Sequence, residues 1–253
     1  MTLTPNILAL DFDGVICNGL REYFQTSWQV YCQIWSPSNT TPPPDLAPSF
    51  YRTRPVVETG WEMPVLLAAI LAGISEDEIF RDWSNIHPQI ILKYNLIPKE
   101  IGATVDRVRD ESIAKDIDQW LNLQEFYPGI STRLNQLIND QVEIRIITTK
   151  EGRFVRALLA KSQIILPDHW VIGKECQKPK HQTLRELLAG REDQVIWFVE
   201  DRLNTLLSVK DQPDLTSVKL YLADWGYNTE SERDSVKNYP NIQLLSLDQF
   251  NNN

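Results

Sequence analysis

Two aspartates two residues apart, Asp11 and Asp13, interrupt an apolar run in the stretch NILALDFDGVICNG, residues 6–19. Other apolar runs also end in polar residues. IRIITTK closes on Thr148, with Thr149 and Lys150 next. CQKPK carries Lys178 ahead of HQTLRELL, and VIWFV is followed by Glu200 and Asp201. Open parallel sheets bind ligands beyond the carboxyl ends of their strands. If these runs are neighbouring parallel strands, Asp11, Asp13 and Asp201 share one sheet edge. Two unit charges about 4 Å apart repel by about 4 kcal/mol at an effective dielectric of about 20. A fold that gathers three must protonate one or supply a counter-charge. Mg²⁺ together with Lys178 supplies it, since Mg²⁺ is held through one or two carboxylates with substrate phosphate and water completing its shell. The pair at 11 and 13 thus reads as half of a metal and phosphate site.

Each residue taken singly also has a bland explanation. Asp-x-Asp-Gly suits a strand-ending turn, although not an EF-hand, which needs a third ligand before its glycine. Thr148 could cap a helix starting near Gly152. Lys178 could be a solvated loop residue, and Asp201 a helix cap. The functional reading rests on their convergence.

The elements that must position these residues follow from hydrophobic periodicity. Residues 6–16 read as a strand buried on both faces, as in a parallel sheet. From about Gly19 to Gln124 the texture turns helical, with helices expected over 21–35, 56–71, 76–94 and 100–123. In the last, Ile101, Val105, Val108, Ile117 and Trp120 fall on one helical face. The proline-rich SPSNTTPPPDLAPS between the first two reads as a surface connection. Arg52 and Arg54 in YRTRPVVETGWE could reach an anionic substrate group, or be solvated. Trp28, Tyr31, Trp35 and Trp83, at helical spacing, read as core. From FYPGI onward, helices at 132–138, 153–161, 180–188 and 204–210 alternate with strands VEIRIITT, one near Trp170–Ile172, QVIWFV and SVKLYLA. That alternation implies βαβ units. The expected architecture is α/β: a Rossmann-like parallel-sheet core, residues 1–17 and 126–253, with an all-helical cap, 18–125, inserted after the first strand. The terminal NNN reads as a frayed tail.

Composition agrees with this class. The 253 residues are 42% hydrophobic and 23% charged, enough for a sizeable core. A net charge of −9 argues against an open nucleic-acid surface. Three scattered cysteines, without a CxxC pair, fit a reducing compartment. The absence of a basic, apolar leader and of an 18-residue apolar stretch implies a cytoplasmic protein without a membrane partner.

The order Asp-x-Asp-Gly-Val after a first strand, Thr at the end of a second, Lys-Pro before a helix and an acidic pair after a later strand resembles the haloacid dehalogenase-like hydrolase superfamily. YPGI, TTKEGRFVRALL and KLYLADWGYNT extend the resemblance over the core, and the helical insert is similar to the cap of its phosphoglycolate-phosphatase-like branch. The resemblance implies a Mg²⁺-dependent phosphatase acting on a small phosphorylated metabolite, as monomer or homodimer. Asp11 matches the nucleophile that forms an aspartyl-phosphate, and Asp13 the general acid/base. Asp11, Asp201 and the backbone carbonyl of Asp13 match the metal ligands. Thr148, Lys178 and the backbone around Gly14 match the groups that grip the phosphoryl oxygens. Dehalogenating members lack an acid two residues after the nucleophile, so Asp13 favours phosphate chemistry. Glu200, Thr149 and Arg54 are further candidates. Where the fourth motif commonly reads Gly-Asp with another Asp four residues on, this chain has Glu200, Asp201 and Thr205. Glu200 either supplies the missing charge or faces away. The same residues would serve a phosphomutase, and a non-catalytic phosphate-binding protein on this fold is the reading from another class.

Overall fold

A computed structural model describes residues 5–191 and 193–252. The chain divides into two compact units. One is the chain through Asn18 together with the chain from Phe126; the other is Gly19–Glu125.

The first unit is built on a six-stranded sheet of order β5-β4-β1-β6-β7-β8. Its strands are β1 (Ile7–Leu10), β4 (Glu143–Ile147), β5 (Val171–Ile172), β6 (Ile196–Glu200), β7 (Lys219–Ala223) and β8 (Ile242–Leu245). All pairings are parallel. β1 lies between β4 and β6, with Leu10 level with Ile146 on one side and Val199 on the other. All four of its residues are buried, as a central strand covered on both faces requires. The helices α7 (Ile130–Asn139), α8 (Gly152–Lys161), α9 (Lys180–Leu188), α10 (Leu203–Lys210), α11 (Glu230–Ser235) and α12 (Leu247–Asn252) complete this unit. On one face, Leu184 and Leu188 of α9 and Leu203, Leu206 and Val209 of α10 join Ile7, Ala9, Phe198 and Leu222 in a single apolar core. Two very short strands, β2 (Cys17–Asn18) and β3 (Glu125–Phe126), pair in a separate two-stranded sheet.

The second unit is helical: α1 (Leu20–Trp35), α2 (Leu46–Thr53), α3 (Glu62–Leu71), α4 (Glu76–Lys93), α5 (Pro98–Lys115) and α6 (Ile117–Leu121). α3 is apolar nearly all round and accordingly buried from Glu62 to Ala69. Buried Glu22 of α1 ties the unit together. Its carboxylate accepts hydrogen bonds from Thr26 (2.8 Å), Arg109 Nε (2.8 Å) on α5 and Trp120 Nε1 (3.1 Å) on α6. Trp28 and Trp83 are buried, whereas Tyr31 and Trp35 are half-buried and stack in series on Trp28.

Several elements differ from the sequence expectation. The expected strand over 6–16 stops at Leu10, because residues 12–17 fold into a tight turn. The helix expected over 100–123 is broken at Asp116, which leaves the helical region (φ −162°, ψ 95°) and caps α6 by accepting from Gln119 N. Ile117 is consequently exposed instead of facing the core. The proline-rich segment is not wholly a connection: α2 begins at Leu46, with Pro48 in its first turn where a missing N–H costs nothing. Residues Asn251 and Asn252 belong to α12 instead of a frayed tail; Asn253 lies outside the described residues. No helix among the described residues is long and apolar enough to cross a membrane.

Candidate active site at the strand ends

The site lies at the carboxyl ends of β1, β4 and β6, all within the first unit. Asp11 N still donates to Val199 O (2.9 Å), so the ladder holds the residue that follows β1 in register with β6. The chain then turns sharply. Ile16 N and Cys17 N both donate to Phe12 O (2.9 and 2.8 Å), and Gly14 N donates to Cys17 O (2.8 Å). Gly14 has φ +89°, and a Cβ placed there would lie 2.0 Å from Asp201 Oδ2. Only glycine satisfies both the backbone and the space.

Asp201 is packed on its other side by Gly226, where a Cβ would come within 2.3 Å of the Asp201 Cβ. Its Oδ2 accepts from Tyr227 N (2.8 Å), and its backbone carbonyl accepts from Asn228 Nδ2 (2.9 Å). The loop after β7 therefore fixes the carboxylate that follows β6. Asp11, Glu200 and Asp201 are all buried, and each offers an oxygen within 4.8 Å of the others.

The counter-charge is Lys180. Its ammonium lies 2.8 Å from Asp11 Oδ1 and 2.7 Å from Glu200 Oε2. This corrects the sequence reading, which set Lys178 at the phosphate. Lys178 is exposed and bonds Glu186 on α9 at 2.8 and 3.0 Å. The reason is local: the chain reverses at Gln177 (φ 49°), and Pro179 then delivers Lys180 as the first residue of α9, beside β1 and β6. The CQKPK stretch holds both lysines, and the one at the helix start is the anchored one.

The other candidates fall as follows. Asp13 is partly buried and takes the ammonium of Lys150 at 3.1 and 3.4 Å to its two oxygens, a contact the sequence reading did not assign. Thr148 is buried at the end of β4. Its N–H donates to Ile172 O (3.0 Å) and its hydroxyl accepts from Lys150 N (3.1 Å), so it turns the chain instead of capping α8, whose N-cap is Glu151. Thr149 is exposed. Glu200 does not face away: its Oε2 meets Lys180 and its Oε1 accepts from Arg202 N (3.0 Å). Arg54 belongs to the helical unit, where it donates to Val57 O (3.0 Å) and lies over the Tyr23 ring at 5.2 Å. Arg52 in the same unit forks onto Glu76 at 2.8 and 2.7 Å.

Electrostatics follow from burial. Burial first, and then the charge of Glu200, push Asp11 up to about 7 against the opposing pull of Lys180. Burial and then Asp11 raise Asp201 to about 6. Burial and the neighbouring Asp201 raise Glu200 to about 7, again opposed by Lys180. Burial alone would discharge Lys180, but Asp11 and Glu200 outweigh it and hold the ammonium charged. Three carboxylates on one ammonium leave an excess of negative charge. The donor set is hard oxygen, and glycine at 14 and 226 puts no side chain against the Asp201 carboxylate. A Mg²⁺-like cation fits this set.

No family model matches the chain. Among curated proteins, phosphoglycolate phosphatase 1 of Pseudomonas aeruginosa is 33% identical over 111 residues, which is 42% of this chain and 39% of that one. A probable phosphoglycolate phosphatase of Pseudomonas putida is 28% identical over 160 residues, 60% of this chain and 62% of that one. The chain thus matches less than two thirds of the length of these relatives. A crystal structure of a predicted phosphoglycolate phosphatase from Haemophilus somnus shares the fold at a TM-score of 0.59 and 16% identity, covering 99% of this chain and 97% of that one. Other solved haloacid dehalogenase-like proteins share it too.

Proposed function

We propose that the chain is a haloacid dehalogenase-like protein of the phosphoglycolate-phosphatase-like branch and a phosphomonoester hydrolase for a small phosphorylated metabolite, a reading supported by its similarity to phosphoglycolate phosphatases. The observation that carries this reading is the buried ion pair of Lys180 with Asp11, set among Glu200 and Asp201 at the sheet edge. It supports the reading because the candidate nucleophile lies beside a held ammonium that an anionic phosphoryl group would meet.

On this reading, a carboxylate oxygen of Asp11 attacks phosphorus and the bond from phosphorus to the ester oxygen breaks. Asp13 gives its proton to the departing alkoxide. Asp13 then takes a proton from water as that water attacks phosphorus, the bond to Asp11 breaks, and inorganic phosphate leaves. Splitting one displacement into two lowers each barrier. Proton transfer from a positioned carboxyl typically contributes about 10²–10⁴-fold. Lys180 and the Thr148 hydroxyl serve the phosphoryl oxygens, where charge spreads in the transition state. Asp11, Asp201 and the Asp13 carbonyl would hold Mg²⁺, with Glu200 adding charge beside them. Mg²⁺ supplies neutralisation of the phosphoryl charge when bound.

The test is phosphate release from a panel of phosphorylated metabolites and p-nitrophenyl phosphate, with Mg²⁺ or with chelator. The relatives' names place phosphoglycolate first in that panel. Mg²⁺-dependent release that Asp11→Asn reduces to background supports the reading. Undiminished turnover in Asp11→Asn overturns the assigned nucleophile. Mg²⁺ binding without turnover of any ester favours a phosphate-binding protein.

A further inference from the structure

The two ammonium groups at the strand ends are shared out between the two aspartates. Lys180 serves Asp11 and Glu200, while Lys150 lies 3.1 and 3.4 Å from the oxygens of Asp13. The Lys150–Asp13 pair is largely withdrawn from water, with side chains 10% and 21% exposed. Lys150 is itself held from several sides. Its N–H donates to the Thr148 hydroxyl (3.1 Å), and its carbonyl accepts from Lys174 N (2.9 Å). Its ammonium lies 5.9 Å from the centre of the Phe12 ring. Asp13, by contrast, sits in a turn with a rotatable carboxylate that must aim at one leaving oxygen. A proton donor a fraction of an ångström out of line loses much of its value.

We propose that Lys150 is a positioning residue that orients the Asp13 carboxyl toward the leaving-group oxygen, a role assigned from the two contacts to Asp13 and the bracing of Lys150 by Thr148 and Lys174. The proposal rests on the phosphatase reading above. It makes Lys150 matter only where the leaving group needs a proton. An alkyl phosphate needs one, because an alkoxide is a poor leaving group. p-Nitrophenyl phosphate does not, because the phenolate departs as an anion. The comparison must use kcat/KM, which reports transfer of the phosphoryl group to Asp11; later hydrolysis is common to both esters and can limit kcat.

Wild type, Lys150→Met, Asp13→Asn and the double variant are compared on the best alkyl ester of the panel and on p-nitrophenyl phosphate. Lys150→Met is expected to lose at least about 10-fold in kcat/KM on the alkyl ester and less than about 3-fold on the aryl ester, within the range a general acid supplies. The double variant should be no worse than Asp13→Asn, since a residue acting through Asp13 has nothing left to act through. Lys150→Arg, which keeps the charge, should recover part of the alkyl activity. Equal losses on both esters, or losses that add in the double variant, would overturn the proposal and set Lys150 on the phosphoryl group instead. If Lys150→Met does not fold, Lys150→Gln is judged by the same ratio. Wild type inactive on both esters defeats the phosphatase reading; an active wild type with equal losses defeats only the role of Lys150.

Discussion

Lys180 neutralises two buried carboxylates with one ammonium, and that load decides what its removal does. Lys180→Met leaves Asp11 and Glu200 buried without their counter-charge, a change that costs about 3–5 kcal/mol when the acids are ionised. Near pH 8 the melting temperature should fall by roughly 10 °C, given about 2–4 °C per kcal/mol for a chain of this size. At pH 5.5 the two acids, both raised to about 7, are protonated, and the loss should be much smaller. Lys178→Met should leave turnover and melting nearly unchanged, since its bond to Glu186 lies in water. Thermal melts at the two pH values check both expectations. The meeting of Asp11 with Asp201 was legible from polar residues closing apolar runs, whereas the inward place of Glu200 was left open. The choice between Lys178 and Lys180 was not, because it turns on the reversal at Gln177. Nor was the pairing of Lys150 with Asp13, which joins residues 137 positions apart.

At the scale of elements, the turn after β1 and the loop after β7 are built against each other, with the Asp201 carboxylate between Gly14 and Gly226. Gly14→Ala should therefore do more than strain a backbone at φ +89°, which alone costs about 1–2 kcal/mol. The added carbon, 2.0 Å from Asp201 Oδ2, must push the carboxylate off Tyr227 N. We expect a lower denaturant midpoint with the slope unchanged, together with a smaller Mg²⁺ stabilisation than wild type; an undiminished Mg²⁺ effect would show that Asp201 is not a ligand. Most helices with full apolar periodicity could be read from sequence to within two residues, although the one expected over 56–71 begins only at Glu62. Breaks could not: Asp116 ends one helix and caps the next, which periodicity passes over. β8 was missed because only Ile242 and Leu245 are buried in it, a pattern matching neither an alternating nor a fully buried strand.

For the whole molecule, the acidic cluster couples stability to pH and, under the proposed Mg²⁺ site, to that cation. Asp11, Glu200 and Asp201 bind protons more tightly when folded than unfolded, with values near 7, 7 and 6. Stability falls with pH wherever the native state binds more protons. Their contribution is thus fully present below about pH 4 and is lost as pH rises through 6 to 7. Chelated protein should lose melting temperature across that window. Mg²⁺ competes with those protons, so its stabilisation should be larger at pH 8 than at pH 5.5. Melting curves with Mg²⁺ or chelator at the two pH values decide it; a shift independent of pH would place the cation elsewhere.

The central place of β1 also sets a timetable. Its neighbours begin at Glu143 and Ile196, so β1 acquires its second neighbour about 190 residues after it is made. At about 5–20 residues per second this is a wait of roughly 10–40 s. Meanwhile Gly19–Glu125, continuous in the chain, emerges complete. The nascent polypeptide therefore carries an ILAL segment with at least one edge unpaired until Ile196–Glu200 has been made, and Asp11 gains its ammonium only after Lys180 has left the exit tunnel. Slowing translation between those points should raise aggregation of new chains without altering the finished protein.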